Sequence, residues 1–410
     1  MARNEGMVVG LDLGTTKTCV LVGERGENGL EIVGVGTAPS SGLRKGVVVN
    51  LDSTVDSIRQ AVAEAEKMCG QKIRVVQTGI AGNHLQGINS HGIIGVKDRE
   101  VSARDVAQVL DAARAVAIPL DREVIDTIPQ QFFLDDQEGV VDPIGMSGVR
   151  LEVDVHIVTA AAASLSNIYR CCNRAGLEVR GVLLQQLASS RAVLTAEERE
   201  LGVMLVDIGG GTTDIAVFIN GVICYTASLP LGGNHVTNDI AIGLRTPLEA
   251  AEKIKRHYGC TASRMVDQEE SIEVPSVGGR PPRRLSRHIL GEIIEPRLEE
   301  IFELANRELH KSGVYDQIVS GIVVTGGTAL LAGTAELAEK VFALQARVGF
   351  PTLYQGRGFE AVNNPMYATA IGLLLYAAEN SAAARRGPGF SRHEMGGFYK
   401  RTLAWLKDFF

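Results

Sequence analysis

Two segments of the chain, at positions 8–22 and 203–219, share one pattern of apolar and polar residues. In each, a short apolar run ends at an aspartate, which is Asp12 in the first segment and Asp207 in the second. A turn of glycines and threonines follows each aspartate, and a second apolar run follows the turn. Short apolar runs separated by such a turn are typical of β-hairpins. Because a signature that recurs at long range indicates repeated units, the sequence predicts two related domains that each open with a hairpin.

The rest of the first 380 residues alternates between helical and strand periodicity. Apolar residues spaced by three and four positions predict helices, and strict alternation of apolar and polar residues predicts a half-buried strand at 149–157. The predicted helices cover 53–69, 101–115, 246–258 and 287–311, and further strands cover 124–134 and 322–324. The segment at about 84–159 mixes one helix with several strands, so it predicts an α+β insertion within the first half of the chain.

The last residues of the sequence, 397–410, follow a third pattern. At about 100° per residue, one side of a helix carries Phe398, Tyr399, Leu403, Trp405, Leu406, Phe409 and Phe410, and the other side carries Lys400, Arg401 and Lys407. Such a helix is roughly 20 Å long, too short for a bilayer core near 30 Å. The pattern therefore predicts a helix that lies in the membrane interface with its basic residues near anionic headgroups, or alternatively one packed on the protein's own core. The Ala, Arg, Gly, Ser and Pro residues at 380–396 predict a flexible linker before it.

Composition narrows the classes of function. The chain has 410 residues, 45% of them hydrophobic and 22% charged, as expected for a globular protein of two or three domains. The net charge of −7 argues against non-specific binding of nucleic acid, because polyanions attract basic faces. The cysteines lack the paired spacing of zinc sites. No apolar run approaches the roughly 20 residues that span a bilayer, and the first residues show no secretory signal, so a cytoplasmic protein is expected unless a tether holds it at a surface.

Three glycine-rich turns carry the candidate chemistry. The backbone N–H groups of such turns can form an anion-binding nest, and glycine lets the backbone approach a phosphate closely. Two of the turns follow Asp12 and Asp207, and the third, at 325–328, follows a buried strand. Two carboxylates that face a polyphosphate can hold Mg²⁺ through its waters, because Mg²⁺ gives up water ligands reluctantly. A single turn of this kind is often only a corner between strands, whereas three of them favour a nucleotide site.

These motifs occur in the order found in the superfamily of actin, heat-shock chaperones and sugar kinases. Residues 12–16 resemble its first phosphate loop, 207–214 its second and 323–331 its adenosine motif. Residues 185–189 and 368–372 resemble its two connecting motifs. The resemblance implies an α/β, actin-like two-lobed nucleotide-binding fold that binds ATP with Mg²⁺.

The resemblance also implies roles for individual residues. The cofactor-binding residues would be Asp12, Gly14, Thr15, Thr16, Lys17, Asp207, Gly209, Gly210, Gly211, Thr212, Thr213, Glu252, Lys255, Gly326, Gly327 and Thr328. Asp12 and Asp207 would hold Mg²⁺ through water, whereas Glu252 and Lys255 would contact the ribose and adenine or remain surface charges on a helix. Gln185 stands where bacterial relatives carry a glutamate. A glutamine can orient a water but is a poor proton acceptor, so we expect slow or negligible hydrolysis.

Within the superfamily, the sequence is similar to the FtsA family of bacterial cell-division proteins from about Met7 to the end. The insertion, the terminal linker with its amphipathic segment, and residues 188–203 carry this resemblance. It implies an adaptor that polymerises on the cytoplasmic face of the inner membrane at the division septum, tethers FtsZ filaments and recruits later division proteins. Arg287 and Arg297 are candidate contacts for the acidic FtsZ C-terminal tail, with solvated helix charges as the alternative.

The predicted domains follow from these motifs. They are a lobe 1 core at 1–83 that returns at 161–200, an inserted α+β subdomain at 84–160, lobe 2 at 201–379 with a smaller subdomain at about 240–315, a linker at 380–396 and a membrane-targeting helix at 397–410. Three other functions on the same fold stay open. A small-metabolite kinase of the sugar or acetate type needs an aspartate base beside the phosphate, a chaperone ATPase needs a substrate-binding region, and a pilus-assembly adaptor should lack the terminal amphipathic helix.

Overall fold

The computed structural model describes residues 6–26, 29–267, 269–278, 280–351 and 358–385. The membrane-targeting helix predicted at 397–410, with all of its lipid-facing residues, lies outside the described residues. Among the described residues, no helix has the length and apolar character needed to cross a bilayer.

Lobe 1 is a five-stranded sheet with helices on it, interrupted by the inserted subdomain. It begins with β1 (Met7–Leu13), β2 (Lys17–Gly26), β3 (Gly29–Pro39), β4 (Leu43–Arg44), β5 (Val47–Val48), α1 (Leu51–Cys69) and β6 (Val75–Ile80). Asn50 caps α1 by accepting a hydrogen bond from the Ser53 backbone N–H at 3.0 Å, so this helix begins two residues before the predicted start. Gly70, with φ of 71°, ends it as predicted.

The inserted subdomain is an antiparallel sheet with one helix packed on one face. Its elements are β7 (Gln86–Gly95), α2 (Ala103–Arg114), β8 (Arg122–Leu134), β9 (Gln137–Val140) and β10 (Arg150–Ala161), with the strand order β7-β10-β8-β9. The alternating apolar side chains from Leu151 to Ile157 face the core, where Leu151 and Val153 share a cluster with Val109 of α2, whereas Val149 is exposed and precedes β10. The α+β character predicted for this segment is confirmed.

The chain then returns to lobe 1 and enters lobe 2. The return contains α3 (Ala162–Arg174), β11 (Glu178–Leu184), α4 (Gln185–Val193) and α5 (Ala196–Leu201). Lobe 2 contains β12 (Val203–Ile208), β13 (Thr213–Ile219), β14 (Val222–Leu229), α6 (Gly233–Gly243), α7 (Leu248–Tyr258), β15 (Ser271–Val274), β16 (Arg283–Ser286), α8 (Arg287–Ser312), β17 (Ile322–Thr325), α9 (Thr334–Phe342), β18 (Ala346–Val348) and α10 (Ala368–Arg385).

The two lobes have sheets of the same topology. Lobe 1 has the order β11-β6-β1-β2-β3 and lobe 2 the order β18-β17-β12-β13-β14. In both, the first three strands form an antiparallel meander and the other two run parallel to the first. The registers match as well, because Asp12 pairs with Cys19 and Asp207 pairs with Asp214. The duplicated hairpin predicted from the sequence is therefore the opening element of each lobe.

Two helices cross between the sheets and join the lobes. Helices α4 and α10 pack against each other, and their side chains share one core with Leu21 of lobe 1 and Phe218 of lobe 2. A Cβ at Gly372 would lie 1.7 Å from the carbonyl oxygen of Ala188, so only glycine allows this crossing. The crossing places the carboxyl ends of β1 and β12 on either side of one cleft.

The start predicted for the terminal linker is wrong. Helix α10 continues to Arg385, so residues 380–385 are helical and not linker. The residues at this end are mainly alanines, which have the highest helix propensity. The shift towards small residues in the sequence therefore begins inside a helix.

Candidate nucleotide site

The first two glycine-rich turns have the same backbone geometry. The N–H of Gly14 donates to the carbonyl oxygen of Lys17 at 3.1 Å, and the N–H of Gly209 donates to that of Thr212 at 2.9 Å. Each turn joins the two strands of a hairpin directly after its aspartate. The equivalence of the two segments thus extends from the sequence to individual hydrogen bonds.

These two turns meet across the cleft between the lobes. A Cβ at Gly210 would lie 2.0 Å from Thr16 Oγ1, and one at Gly211 would lie 2.7 Å from Thr15 Oγ1. A side chain at either position would have to displace the threonine that lies opposite it. The two loops are therefore close enough to hold one small anion-bearing ligand in common.

The cleft has a volume of about 380 Å³, within the usual range for small-molecule sites. All the predicted cofactor-binding residues line it except Gly211 and Thr213, and Gln185 lines it too. The Thr213 hydroxyl donates to the Leu231 carbonyl oxygen at 3.0 Å, away from the cleft. Gly211 and Thr213 consequently support the second loop, and the other predicted residues face the cavity.

Two buried aspartates face each other from the ends of β1 and β12. Burial raises the pKa of Asp12 to about 7, Lys17 lowers it, and the charge of Asp207 raises it further. Burial also raises the pKa of Asp207 to about 6, against hydrogen bonds from Ser189 and Thr369 that lower it. Such shifts reflect the cost of an unneutralised carboxylate in a buried site, and a cation would reverse them.

A third buried carboxylate, Asp214, also lines the cleft and was not among the predicted site residues. It accepts hydrogen bonds from Ser228 Oγ at 2.5 Å and Thr212 Oγ1 at 2.9 Å. Burial raises its pKa to about 7, and the charge of Asp207 raises it further. The sequence contained the signal, since Asp214 ends the second phosphate-loop motif and pairs with Asp207 across the hairpin.

Gln185 is held against the first aspartate. Its Nε2 donates to Asp12 Oδ1 at 3.2 Å and to the Leu13 carbonyl oxygen at 3.3 Å. The residue begins α4 and is buried. Its amide therefore orients Asp12 and carries no group that could accept a proton from water.

Lys17 lies at the mouth of the first loop. Its ammonium donates to the Met366 carbonyl oxygen at 2.9 Å and stands 3.6 Å above the centre of the Tyr367 ring. Burial lowers the pKa of Lys17, which the nearby Cys19 and Asp12 partly offset. The segment before α10 thus supplies Lys17 with partners that the sequence did not reveal.

Helix α7 reaches the cleft through an ion pair. Lys255 Nζ lies 2.7 Å from Glu252 Oε2 and donates to Thr237 Oγ1 at 2.8 Å and to the Gly233 carbonyl oxygen at 3.0 Å. Lys255 is only 8% exposed. The alternative of two solvated surface charges is therefore wrong for Lys255, because its hydrogen bonds tie α7 to the start of α6.

The start of α6 closes one side of the cleft. The N–H of Gly233 donates to the Gly209 carbonyl oxygen at 2.9 Å, and the N–H of Asn234 donates to that of Gly210 at 2.8 Å. Gly233 and Asn234 line the cavity, although the sequence prediction omitted them. A pair of glycines after a strand and before a helix was the available signal.

The third turn packs directly on the second aspartate. Gly326 has φ of 86° and ψ of 171°, and a Cβ there would lie 2.5 Å from Asp207 Oδ1. Thr328 Oγ1 donates to the Gly209 carbonyl oxygen at 3.3 Å. The third turn thus forms the wall of the cleft beside Asp207 and Gly209, and its glycine backbone carries no side chain there.

The two arginines predicted to bind a partner lie outside the cleft on α8. Arg287 pairs with Glu270 at 2.9 Å, and Arg297 pairs with Asp239 at 2.6 Å and with Glu300. Each is therefore already neutralised by an acidic side chain of the same lobe.

The comparisons with known proteins agree with this architecture. Residues 204–372 match the family model described as "Cell division protein FtsA", and residues 82–159 match "SHS2 domain inserted in FTSA". The chain is 53% identical to the Cell division protein FtsA of Pseudomonas aeruginosa over 92% of this chain and 90% of that protein. It is 44% identical to that of Neisseria meningitidis over the full length of both.

Solved structures share the fold at low identity. The PilM–PilN type IV pilus biogenesis complex matches with a TM-score of 0.66 and 18% identity, over 92% of this chain and 99% of the other. MreB5 of Spiroplasma citri bound to ADP matches with a TM-score of 0.57 and 15% identity, over 93% of this chain and 99% of the other. The actin-like fold with an insertion in the first lobe is confirmed, and the full-length identity to named relatives shows that the chain belongs to the FtsA family of cell-division proteins.

Proposed function

We propose that this chain is an ATP-binding, polymerising adaptor of cell division. It tethers FtsZ filaments to the cytoplasmic face of the inner membrane at the septum and recruits later division proteins. The observation that carries the proposal is the interlobe cleft, where both phosphate-type loops and two buried aspartates meet in a member of the FtsA family. The terminal amphipathic segment adds the membrane contact.

Nucleotide binding in the cleft follows from its chemistry. The backbone N–H groups of the two hairpin turns suit phosphate oxygens, and Asp12 and Asp207 suit a hydrated Mg²⁺, which would neutralise their buried charge. Lys255 and Glu252 flank the space beside the third turn, where ribose and adenine would lie. The solved structure of MreB5, which shares the fold, has ADP bound.

Calorimetry tests this part of the proposal. Mg·ADP should bind the intact protein with a measurable heat, and Asp207→Asn should weaken that binding in Mg²⁺ far more than in EDTA, because the carboxylate acts through the ion. Asp52→Asn is the matched control, since Asp52 is exposed on α1. Equal affinities of parent and Asp207→Asn in Mg²⁺ would refute the metal role, and absence of any binding would refute the nucleotide site.

Membrane attachment rests on the amphipathic pattern at 397–410. A single interfacial helix binds weakly and reversibly, but several copies on one polymer bind together through their effective concentration. Anionic liposomes should therefore co-sediment the chain with ATP, and Trp405→Glu or removal of the residues from Gly397 onward should abolish this. Trp405→Leu, which stays apolar, should keep most of it. Equal pelleting of all four proteins would exclude the tether.

We propose that the FtsZ tail binds α8 through Arg287 and Arg297. Both arginines already pair with carboxylates, so an acidic peptide must exchange for those partners. Fluorescence anisotropy with an FtsZ C-terminal peptide should show weaker binding for Arg287→Ala and Arg297→Ala, and no change for Arg307→Ala, an exposed arginine on the same helix. Equal loss in all three variants would indicate a general charge effect instead of a docking site.

A further inference from the structure

The inserted subdomain belongs to lobe 1 in the chain, yet it also contacts lobe 2. Asn89 Nδ2 of β7 donates to the Cys224 carbonyl oxygen at 3.2 Å, and Gln130 Nε2 of β8 donates to the Ile223 carbonyl oxygen at 3.0 Å. Both acceptors lie on β14, an edge strand of the lobe 2 sheet. A bulge in the pairing of β13 with β14 lies at this point, which frees backbone groups of β14 for contacts outside its own sheet.

A buried histidine completes this contact. His156 of β10 is 2% exposed, and burial lowers its pKa to about 4, so the ring is neutral. Its Nδ1 lies 2.6 Å from Asn89 Oδ1 and its Nε2 lies 2.9 Å from Thr226 Oγ1. Because Asn89 Oδ1 can only accept, Nδ1 carries the proton and Nε2 accepts from the Thr226 hydroxyl. The contact is therefore fully hydrogen-bonded and specific in geometry.

The other end of β14 touches the nucleotide cleft. Ser228, two residues after Thr226, donates to Asp214 Oδ1 at 2.5 Å. One buried carboxylate of the cleft is thus joined, through a short stretch of β14, to the surface on which the insertion docks.

We propose that docking of the inserted subdomain on β14 is coupled to occupancy of the nucleotide cleft, so that each stabilises the other. The contacts of Asn89, Gln130 and His156 with β14 form only when the two lobes hold this separation. A nucleotide that contacts the phosphate loops of both lobes fixes the same separation. This inference rests on the proposed nucleotide site.

The coupling must act in both directions, because binding free energies are reciprocal. A protein that pulls the inserted subdomain away from β14 would release nucleotide, and nucleotide would oppose such a partner. Binding of a partner to the inserted subdomain would in this way change the affinity of the cleft for nucleotide.

Two glycines of β7 provide a matched test. A Cβ at Gly87 would lie 2.6 Å from His156 Cε1 and 2.6 Å from Thr226 Oγ1, so Gly87→Ala forces the docked surfaces apart or breaks their hydrogen bond. A Cβ at Gly95 would lie 3.9 Å from its nearest neighbour, the Val149 carbonyl oxygen, so Gly95→Ala leaves the docking intact. Calorimetry should give a Kd for Mg·ADP at least about fivefold higher for Gly87→Ala, the lower end of typical coupling, and an unchanged Kd for Gly95→Ala.

A second measurement uses the unmodified chain. Cys224 lies in the docking contact and Cys69 lies on α1 in lobe 1. Mass spectrometry should show slower alkylation of Cys224 when Mg·ADP is added, with the rate at Cys69 unchanged. Equal Kd values for all three proteins, or an unchanged rate at Cys224 under saturating nucleotide, overturns the coupling while leaving the nucleotide site standing. Failure of the parent to bind Mg·ADP overturns both.

Discussion

Substitution of Gly326 by alanine should destabilise lobe 2 by several kcal/mol. The backbone at this residue, with φ of 86° and ψ of 171°, lies in a region that is essentially restricted to glycine. Forcing alanine into it costs about 1–3 kcal/mol. The new Cβ would also lie 2.5 Å from Asp207 Oδ1 and 2.6 Å from the Ile208 carbonyl oxygen, which is fixed in β12. Overpacking of this kind costs about 1–3 kcal/mol, so we expect a total of about 2–6 kcal/mol.

The neighbouring glycine supplies the comparison. A Cβ at Gly327 would approach only Met366 Cβ, at 3.9 Å, and its φ lies outside the left-handed region. Calorimetric melting without nucleotide should therefore show the lobe 2 transition of Gly326→Ala lowered by about 4–24 °C, because a unit of this size loses roughly 2–4 °C per kcal/mol. Gly327→Ala should melt close to the parent.

Two results would refute this reasoning. Equal melting of Gly326→Ala and the parent would mean that the third turn is not packed on Asp207 as described. Equal losses for both variants would mean that the turn tolerates no side chain for a reason other than backbone conformation and the contact with Asp207.

Three further predictions concern the helix crossing, the inserted subdomain and hydrolysis. Gly372→Ala should lower the unfolding free energy by at least about 1–3 kcal/mol in urea titrations, because its Cβ meets a carbonyl oxygen of α4 at 1.7 Å; an unchanged midpoint would contradict the crossing. Hydrogen bonds with Asp154 and Glu152 raise the pKa of His91, so the stability they add is complete below the unfolded pKa of about 6.5 and is lost as pH rises through the higher folded value; urea midpoints should fall over this range in the parent but not in His91→Gln. Phosphate release from ATP should stay below the roughly 1 s⁻¹ at the low end of typical enzymes, because Gln185 offers no proton acceptor, and a faster steady state would disprove this.

The elements predicted best from the sequence are those fixed by local pattern. Both hairpins follow from apolar runs around a glycine-rich turn, and α7 and α8 begin and end within two residues of the predicted bounds. Helix ends were harder where the cap was not a serine, since Asn50 starts α1 before Ser53. The turn motifs predicted most of the cleft residues because a close backbone approach requires glycines at short spacings from an aspartate within one motif.

Residues that reach the cleft from distant elements belong to none of these motifs. Met366 lines the cavity because the segment before α10 folds over it, and none of the motifs identified in the sequence contains this residue. The partners of Lys17 illustrate the same limit. Its ammonium donates to the Met366 carbonyl oxygen. Every residue has a backbone carbonyl oxygen, so residue types alone cannot identify this partner.

Strand β10 shows where the argument from periodicity fails for a physical reason. Alternation at 149–157 predicts one face towards the core and one towards solvent. Arg150 obeys this and is exposed, but His156 on the same face is 2% exposed. The polar face changes from exposed to buried along the strand, because the end with His156 packs on lobe 2 and the end with Arg150 does not. An alternating pattern records only whether each residue is polar or apolar. It therefore cannot distinguish a polar face that docks on another lobe through hydrogen bonds from one that faces water.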